Sequence, residues 1–358
     1  MTNLARSSLW LYVLFALSGA AGLGYQMVWV RMLAAGLGHE TPAMLGVASA
    51  FLGGLAVGGW IFDRRIAHAE NPARWYAAIE VVIAGAGVIT ALTIPWMNEL
   101  ALRLAGPSPS PLLQWLIVFV LPFVTLLPAT AAMGATFPVM ECFLARWSGG
   151  ERWVGAVYAV NTFGAVLGTL GSVFLLMPAI GFRGSLFVLA TMNLVCAAIA
   201  WANFGRAFAS GEKLAERSNK TVRVQSKSGV VAAWVSEQRA LVTLFFTGWI
   251  GIGFQFVVVR GLSQVLENTA YTYASALAVY LVGTSLGAAL YQRRYGKLPG
   301  EVLLGRLLVG VALVCGAALL VLPWTGQLYP ALRASLGDSL TATVVSWFLA
   351  HLENNLGK

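Results

Sequence analysis

Apolar positions in this chain neither alternate nor recur on one helical face. They run almost unbroken, with polar residues gathered in the gaps. A helix needs about 20 apolar residues to cross the hydrocarbon of a bilayer. Runs of that order fall near 9–30, 42–62, 75–96, 112–140, 154–178 and 183–204, and after a polar interval near 240–260, 270–291 and 302–324. A tenth begins near Leu340 and stops at Ala350, about eleven residues and too short to span. The pattern predicts nine helical spans and a stub, with no stretch of strand periodicity. The first run continues through Trp29 with no clear stop at a small-residue site, so an uncleaved first helix is expected rather than a signal peptide. The loops are short, which makes consecutive helices antiparallel neighbours.

The pattern also repeats. Leu17–Arg65 realigns without a gap on Phe246–Arg294, at a constant offset of 229 residues over 49 positions. Gly19, Gly22, Gly24, Gln26, Arg31, Gly54, Gly58, Arg64 and Arg65 recur as Gly248, Gly251, Gly253, Gln255, Arg260, Gly283, Gly287, Arg293 and Arg294. A long internal repeat in an apolar chain is the mark of a transporter-like bundle built from two related halves. The expected organisation is a six-helix half over 1–205, a basic cytoplasmic linker over 206–239 and a second half over 240–358. By the same repeat a complete second half would reach about residue 433, so the second half is read as truncated.

Composition narrows the class. Charged residues are 10% of the chain, hydrophobic residues 58%, and mean hydropathy is +0.76; a soluble domain carries roughly 25% charged residues. The formal charge of +9 invites a nucleic-acid partner, but its distribution argues against one. Loops assigned alternately from a cytoplasmic N-terminus place 17 Lys and Arg inside and 5 outside, namely Arg31, Arg103, Arg183, Arg260 and Arg333. That bias fixes topology and predicts a multi-pass protein of the bacterial inner membrane with its N-terminus inside. Cys142, Cys196 and Cys315 lie scattered inside spans, without metal or disulfide spacing.

Three Gly-x-x-x-Gly patterns lie inside spans: Gly54–Gly58, Gly164–Gly168 and Gly283–Gly287. Glycines four apart bare a strip of helix and let two backbones touch, so packing is expected there. Gly59-Trp-Ile-Phe-Asp63-Arg64-Arg65 closes the second span, and it resembles the loop signature of major facilitator transporters, without that signature's downstream basic part. Four segments together carry a closer resemblance: LSGAAGLGYQMVWVR (17–31), WYAAIEVVIAG around Glu80, LLPATAAMGATFPVM (126–140) and YAVNTFGAVLGTLGSVFLLMPAIG (158–181). They are similar to the membrane portion of the bacterial fused major-facilitator/spermidine-synthase-like family, over essentially the whole chain through about residue 325. The resemblance implies a major-facilitator-like bundle, a polyamine-related small cationic substrate, and a separate aminopropyltransferase-like domain as partner. No segment here matches that catalytic domain, so the chain by itself is read as no enzyme, and no cofactor or metal is expected. Its three histidines all sit at span ends, with no nucleophile–base constellation.

Polar groups inside spans are costly in hydrocarbon and mark the interior or a cavity. Gln26, Glu80, Asn161 and Gln255 are therefore the candidate substrate-binding residues, with Gln26 and Gln255 in repeat-equivalent places. Arg31 and Arg260 near the outer interface, and Asp63, Arg64 and Arg65 at the inner end of the second span, are candidates for gating or interface roles. Tyr25 and Trp29, one turn apart, are read as packing. Pro128 and Pro138 each remove a backbone hydrogen bond and predict a kink or a break in the fourth span. The expected function is movement or channelling of a small substrate by alternating access. The alternatives are a membrane anchor for an aminopropyltransferase-like enzyme, or a non-functional fragment.

Overall fold

A computed structural model describes residues 2–67, 69–148, 154–204, 230–266, 270–290, 300–321 and 324. Every regular element among them is helical. The helices are α1 (Thr2–Leu37), α2 (Glu40–Ala67), α3 (Pro72–Ala105), α4 (Pro111–Ser148), α5 (Val154–Gly171), α6 (Met177–Ile199), α7 (Val230–Leu266), α8 (Ala270–Leu290) and α9 (Gly300–Val321). One π turn, Ser172–Leu176, joins α5 to α6, and a second, Ala200–Phe204, extends α6. Seven helices among the described residues are long and apolar enough to cross a membrane. The exposed surface agrees with lipid. On α3 the exposed side chains include Val81, Val82, Ile89, Leu92 and Trp96, while Glu80 and Thr90 are buried. Polar inside and apolar outside is the order a bilayer imposes. The chain is an all-α polytopic membrane protein.

Helix ends follow local chemistry. Gly38, at φ 91°, ends α1 in a conformation that side chains rarely adopt. Asn71 caps α3, its side chain accepting from the Arg74 N–H at 3.1 Å, with Pro72 in the first turn. The longest apolar stretch, Gly155–Phe204, has 50 residues, or about 75 Å of helix, more than twice a bilayer core. It does not run straight. Gly181 breaks it at φ 69°, ψ −179°, inside the gap that hydropathy leaves between the fifth and sixth spans.

Helix direction can be read from close approaches. A Cβ on Gly164 or Gly168 would overlap the carbonyls of Ala16 and Ala20, and one on Gly24 would meet Ser172 Oγ. All three pairs stand 148 positions apart, so α1 and α5 run parallel. Glycine, alanine and serine at four-residue spacing on both helices make this seam. Contacts of α1 with α6 run the other way, Leu14 with Cys196 and Gly24 with Leu189. The chain therefore reverses between α5 and α6, and the 50-residue stretch crosses twice.

The α2–α4 seam is closer still: Gly54, Gly58 and Gly134 each lie where a Cβ would overlap the facing helix. Helix α4 continues through Pro122, Pro128 and Pro138 without a break. A proline leaves the carbonyl four residues before it without its N–H. The Val118 carbonyl orphaned by Pro122 lies against Gly46 of α2, and the Gly134 carbonyl orphaned by Pro138 faces Gly59. Close Cα–H approaches of this kind give such carbonyls a weak partner without a side chain.

The chain divides into two compact units, Met1–Gln225 with Tyr273–Gly296, and Ser226–Thr272 with Lys297–Lys358. In the first unit, Gln26 donates to Tyr273 of α8 at 3.1 Å, and Ser285 donates to the Ala159 carbonyl of α5 at 3.0 Å. Through the α1–α5 register Ala159 is level with Leu11, so α8 runs antiparallel to α1, the sense α2 has. In the second unit, Phe245, Phe246 and Trp249 form a ring cluster on α7. The linker expected at 206–239 lies outside the described residues as far as 229. From Val230 the chain is already helical, because Ala232, Ala233, Glu237, Gln238 and Arg239 favour helix and carry α7 back past its apolar run. The 302–324 run forms α9, and its described apolar part, Leu304–Ala318, is shorter than a full span. The stub at 340–350 lies outside the described residues.

Candidate binding cavity

Helices α1 and α3 pack in parallel with a nearly constant register. Ser18 meets Glu80, Tyr25 meets Gly87, and Trp29 donates to Thr90 at 2.9 Å. Thr90 passes its own hydroxyl proton to the Gly87 carbonyl at 2.6 Å. This register brings the polar residues of two apolar helices level. Glu80 is fully buried. Its Oε1 accepts from Ser18 Oγ at 2.7 Å, and its Oε2 accepts from Asn193 Nδ2 of α6 at 2.5 Å. Among the described residues no cationic side chain pairs with it.

Beside this cluster lies a cavity of about 100 Å³, room for several waters. Ser18, Tyr76, Asn161 and Asn193 are its polar wall, with Thr136 and Tyr158. Phe15, Phe51, Phe137, Met133 and Met140 add an apolar, aromatic floor, and Gly22, with open space where a Cβ would stand, gives α1's side its depth, while Gly19 lies against the Asn161 backbone. Glu80 itself stands behind Ser18, Tyr76 and Asn193 rather than on the cavity surface.

That arrangement fixes the polarity of the wall. The Asn193 amide must turn its NH₂ to the carboxyl oxygen, which leaves Oδ1 as an acceptor without a partner. Ser18 spends its proton on Glu80 and keeps its lone pairs. The Tyr76 hydroxyl, one helical turn before Glu80, is buried beside Ser18 and the Glu80 carboxyl. Ser18 and Asn193 thus bring acceptors to the wall, which suit a group that donates hydrogen bonds, while the Tyr76 hydroxyl can donate or accept.

The sequence-predicted residues divide. Asn161 lines the cavity and Glu80 organises it. Gln26 is buried further along the same face of α1, where it serves Tyr273 rather than the cavity. Gln255 and Arg260 belong to the second unit, half-buried and exposed respectively. Arg31 pairs with Glu40 across the α1–α2 turn. Asp63, Arg64 and Arg65 are exposed at the end of α2, with no ion pair among the described residues. Tyr25 and Trp29 stack at 5.3 Å within the core, as packing requires. Gly283 and Gly287 have open space where a Cβ would stand, unlike their first-copy counterparts.

Comparison with protein-family models, with curated proteins and with solved structures finds no match to this chain. Sequence reasoning passed over Ser18, Tyr76 and Asn193. Asn193 carried the signal Asn161 did, an amide inside an apolar run, and Tyr76 stands at the i−4 position that shares a face with Glu80.

Proposed function

We propose that this chain is a transporter-like membrane module that binds a small cationic solute in the cavity of its first unit and moves or channels it by alternating access. One observation carries the reading: a buried carboxyl group without a cationic partner among the described residues stands behind a polar wall to which Ser18 and Asn193 bring acceptors. A carboxylate in a membrane interior needs a counter-charge or a proton, and an ammonium group brings both positive charge and donors. The aromatic rings of Phe15, Tyr76 and Tyr158 suit such a guest, since a ring face attracts a cation. That the solute is polyamine-related rests on the sequence resemblance to the fused spermidine-synthase-like family. The membrane side assigned to each end, and placement in a bacterial inner membrane, rest on the charge bias of the loops.

Equilibrium binding of labelled putrescine to purified protein tests this, with Glu80→Gln beside the wild type. The introduced amide has one acceptor oxygen where the carboxylate has two, so either Ser18 or Asn193 must reverse its hydrogen bond and turn a donor toward the cavity. Affinity is expected to fall at least about tenfold, the scale of one charge-assisted contact, while the helical circular dichroism stays unchanged. Equal affinity in both proteins would overturn the site. Absence of amine binding by the wild type would overturn the transport reading in favour of an anchor.

A further inference from the structure

The charge bias leaves one membrane face poor in arginine, so each arginine found there calls for a reason. Arg103 has one, pairing with Glu99 at 3.2 Å on the helix surface. Arg31 and Arg183 share another place. Where α1, α3 and the Gly181 corner meet, the first unit opens a second cavity of about 420 Å³. It is far from the first: Asn98 on its wall lies 18 residues beyond Glu80 on α3, about 27 Å of helix.

The opening has two backbone causes. Pro95 stands inside α3, where it cannot donate to the helical ladder, and Gly181 turns the chain away from the helical path. Apart from Asn98 and the arginines the walls are apolar, with Ile180 and Phe182 exposed and Met32 and Ile94 buried in the core. Arg31 and Arg183 stand at this wall. Arg31 is matched by Glu40, whereas Arg183 has no carboxylate among the described residues. The account closes at one excess positive charge beside an apolar hollow, at the end of a bundle that is itself apolar outside.

We propose that this cavity holds an anionic phospholipid, its phosphodiester between Arg31 and Arg183 and its first acyl carbons along Ile180 and Phe182. A single negative charge balances the excess arginine, and the planar guanidinium fork matches phosphate oxygens. A free inorganic anion would satisfy the arginine and leave the apolar wall uncovered, which is why a lipid is the better occupant.

The test uses the full chain in nanodiscs of phosphatidylcholine, with and without a minority of phosphatidylglycerol, and counts retained lipid by native mass spectrometry. Wild type should retain phosphatidylglycerol over phosphatidylcholine. Arg183→Gln should reduce that retention about tenfold, Arg183→Lys should restore part of it, and Arg103→Gln should leave it as in wild type. Equal retention by wild type and Arg183→Gln would overturn the proposal, as would equal retention of the two lipids. Thermal stabilisation by inorganic phosphate alone, equal to that by the lipid, would overturn it in favour of a free-anion site.

Discussion

Gln26 and Tyr273 stand 247 positions apart, yet each completes the other inside the core. Burying an amide or a phenol without a partner costs about 1–3 kcal/mol. Gln26→Leu should therefore lower the thermal midpoint by strandng the Tyr273 hydroxyl, and Tyr273→Phe alone should do the same to the Gln26 amide. Both changes together should cost much less than the sum of the two, because no polar group is then left over; a double-mutant cycle of midpoints in one detergent reads this directly. Additive losses would show that the hydrogen bond contributes nothing. The same logic explains what was legible at this scale. A glutamine or glutamate inside an apolar run announces burial, so Gln26 and Glu80 could be placed indoors from sequence. Which atom meets which could not be read, because Ser18, Glu80 and Asn193 become neighbours only through the parallel register of α1 with α3 and the reversed course of α6.

Helices here pack through backbone more than through interlocking side chains. At the α1–α5 seam, Gly168 lies against the Ala20 carbonyl with no room for a methyl group. Gly168→Ala should destabilise by about 1–3 kcal/mol, the usual cost of overpacking. Gly85→Ala is the internal control: that glycine has open space around its Cβ position, and alanine is the better helix former, by about 1 kcal/mol. Opposite shifts of the thermal midpoint are expected, and equal shifts would mean that the seam is looser than described. The four-residue glycine spacing predicted this packing for Gly54, Gly58, Gly164 and Gly168. Nothing in the spacing told which helix would be met, and nothing told that the prolines of α4 would bend no break into it. That outcome depends on Gly46 and Gly59 of another helix lying where the freed carbonyls emerge.

At the scale of the molecule, hydropathy placed the starts of the seven described apolar stretches to within three residues but their ends only to within nine, and the repeat related α8 to α2, whose sense α8 shares. The internal geometry of the cavity lay beyond both, since it is made where several helices meet. Every described element is an apolar or membrane-spanning helix, and aminopropyl transfer needs a pocket that orients an amine against a sulfonium donor, with a base to take its proton. Purified protein given putrescine and decarboxylated S-adenosylmethionine should form no spermidine above an empty-membrane control. Product above that level would place a catalytic pocket in this chain.

The corner at Gly181 bears on how such a protein is made. Synthesis delivers Gly155–Phe204 as one apolar stretch of 50 residues, interrupted by Arg183 but by no polar loop. Hydropathy marks the break only by the short gap from 179 to 182, too few residues for a polar loop. Within that gap the turn itself is conformational: Gly181, at positive φ, folds the stretch back on itself. The fifth and sixth passes are thus best regarded as one insertion event, a helical hairpin that enters the bilayer whole. A residue of no charge and no side chain then settles on which side of the membrane everything after it begins.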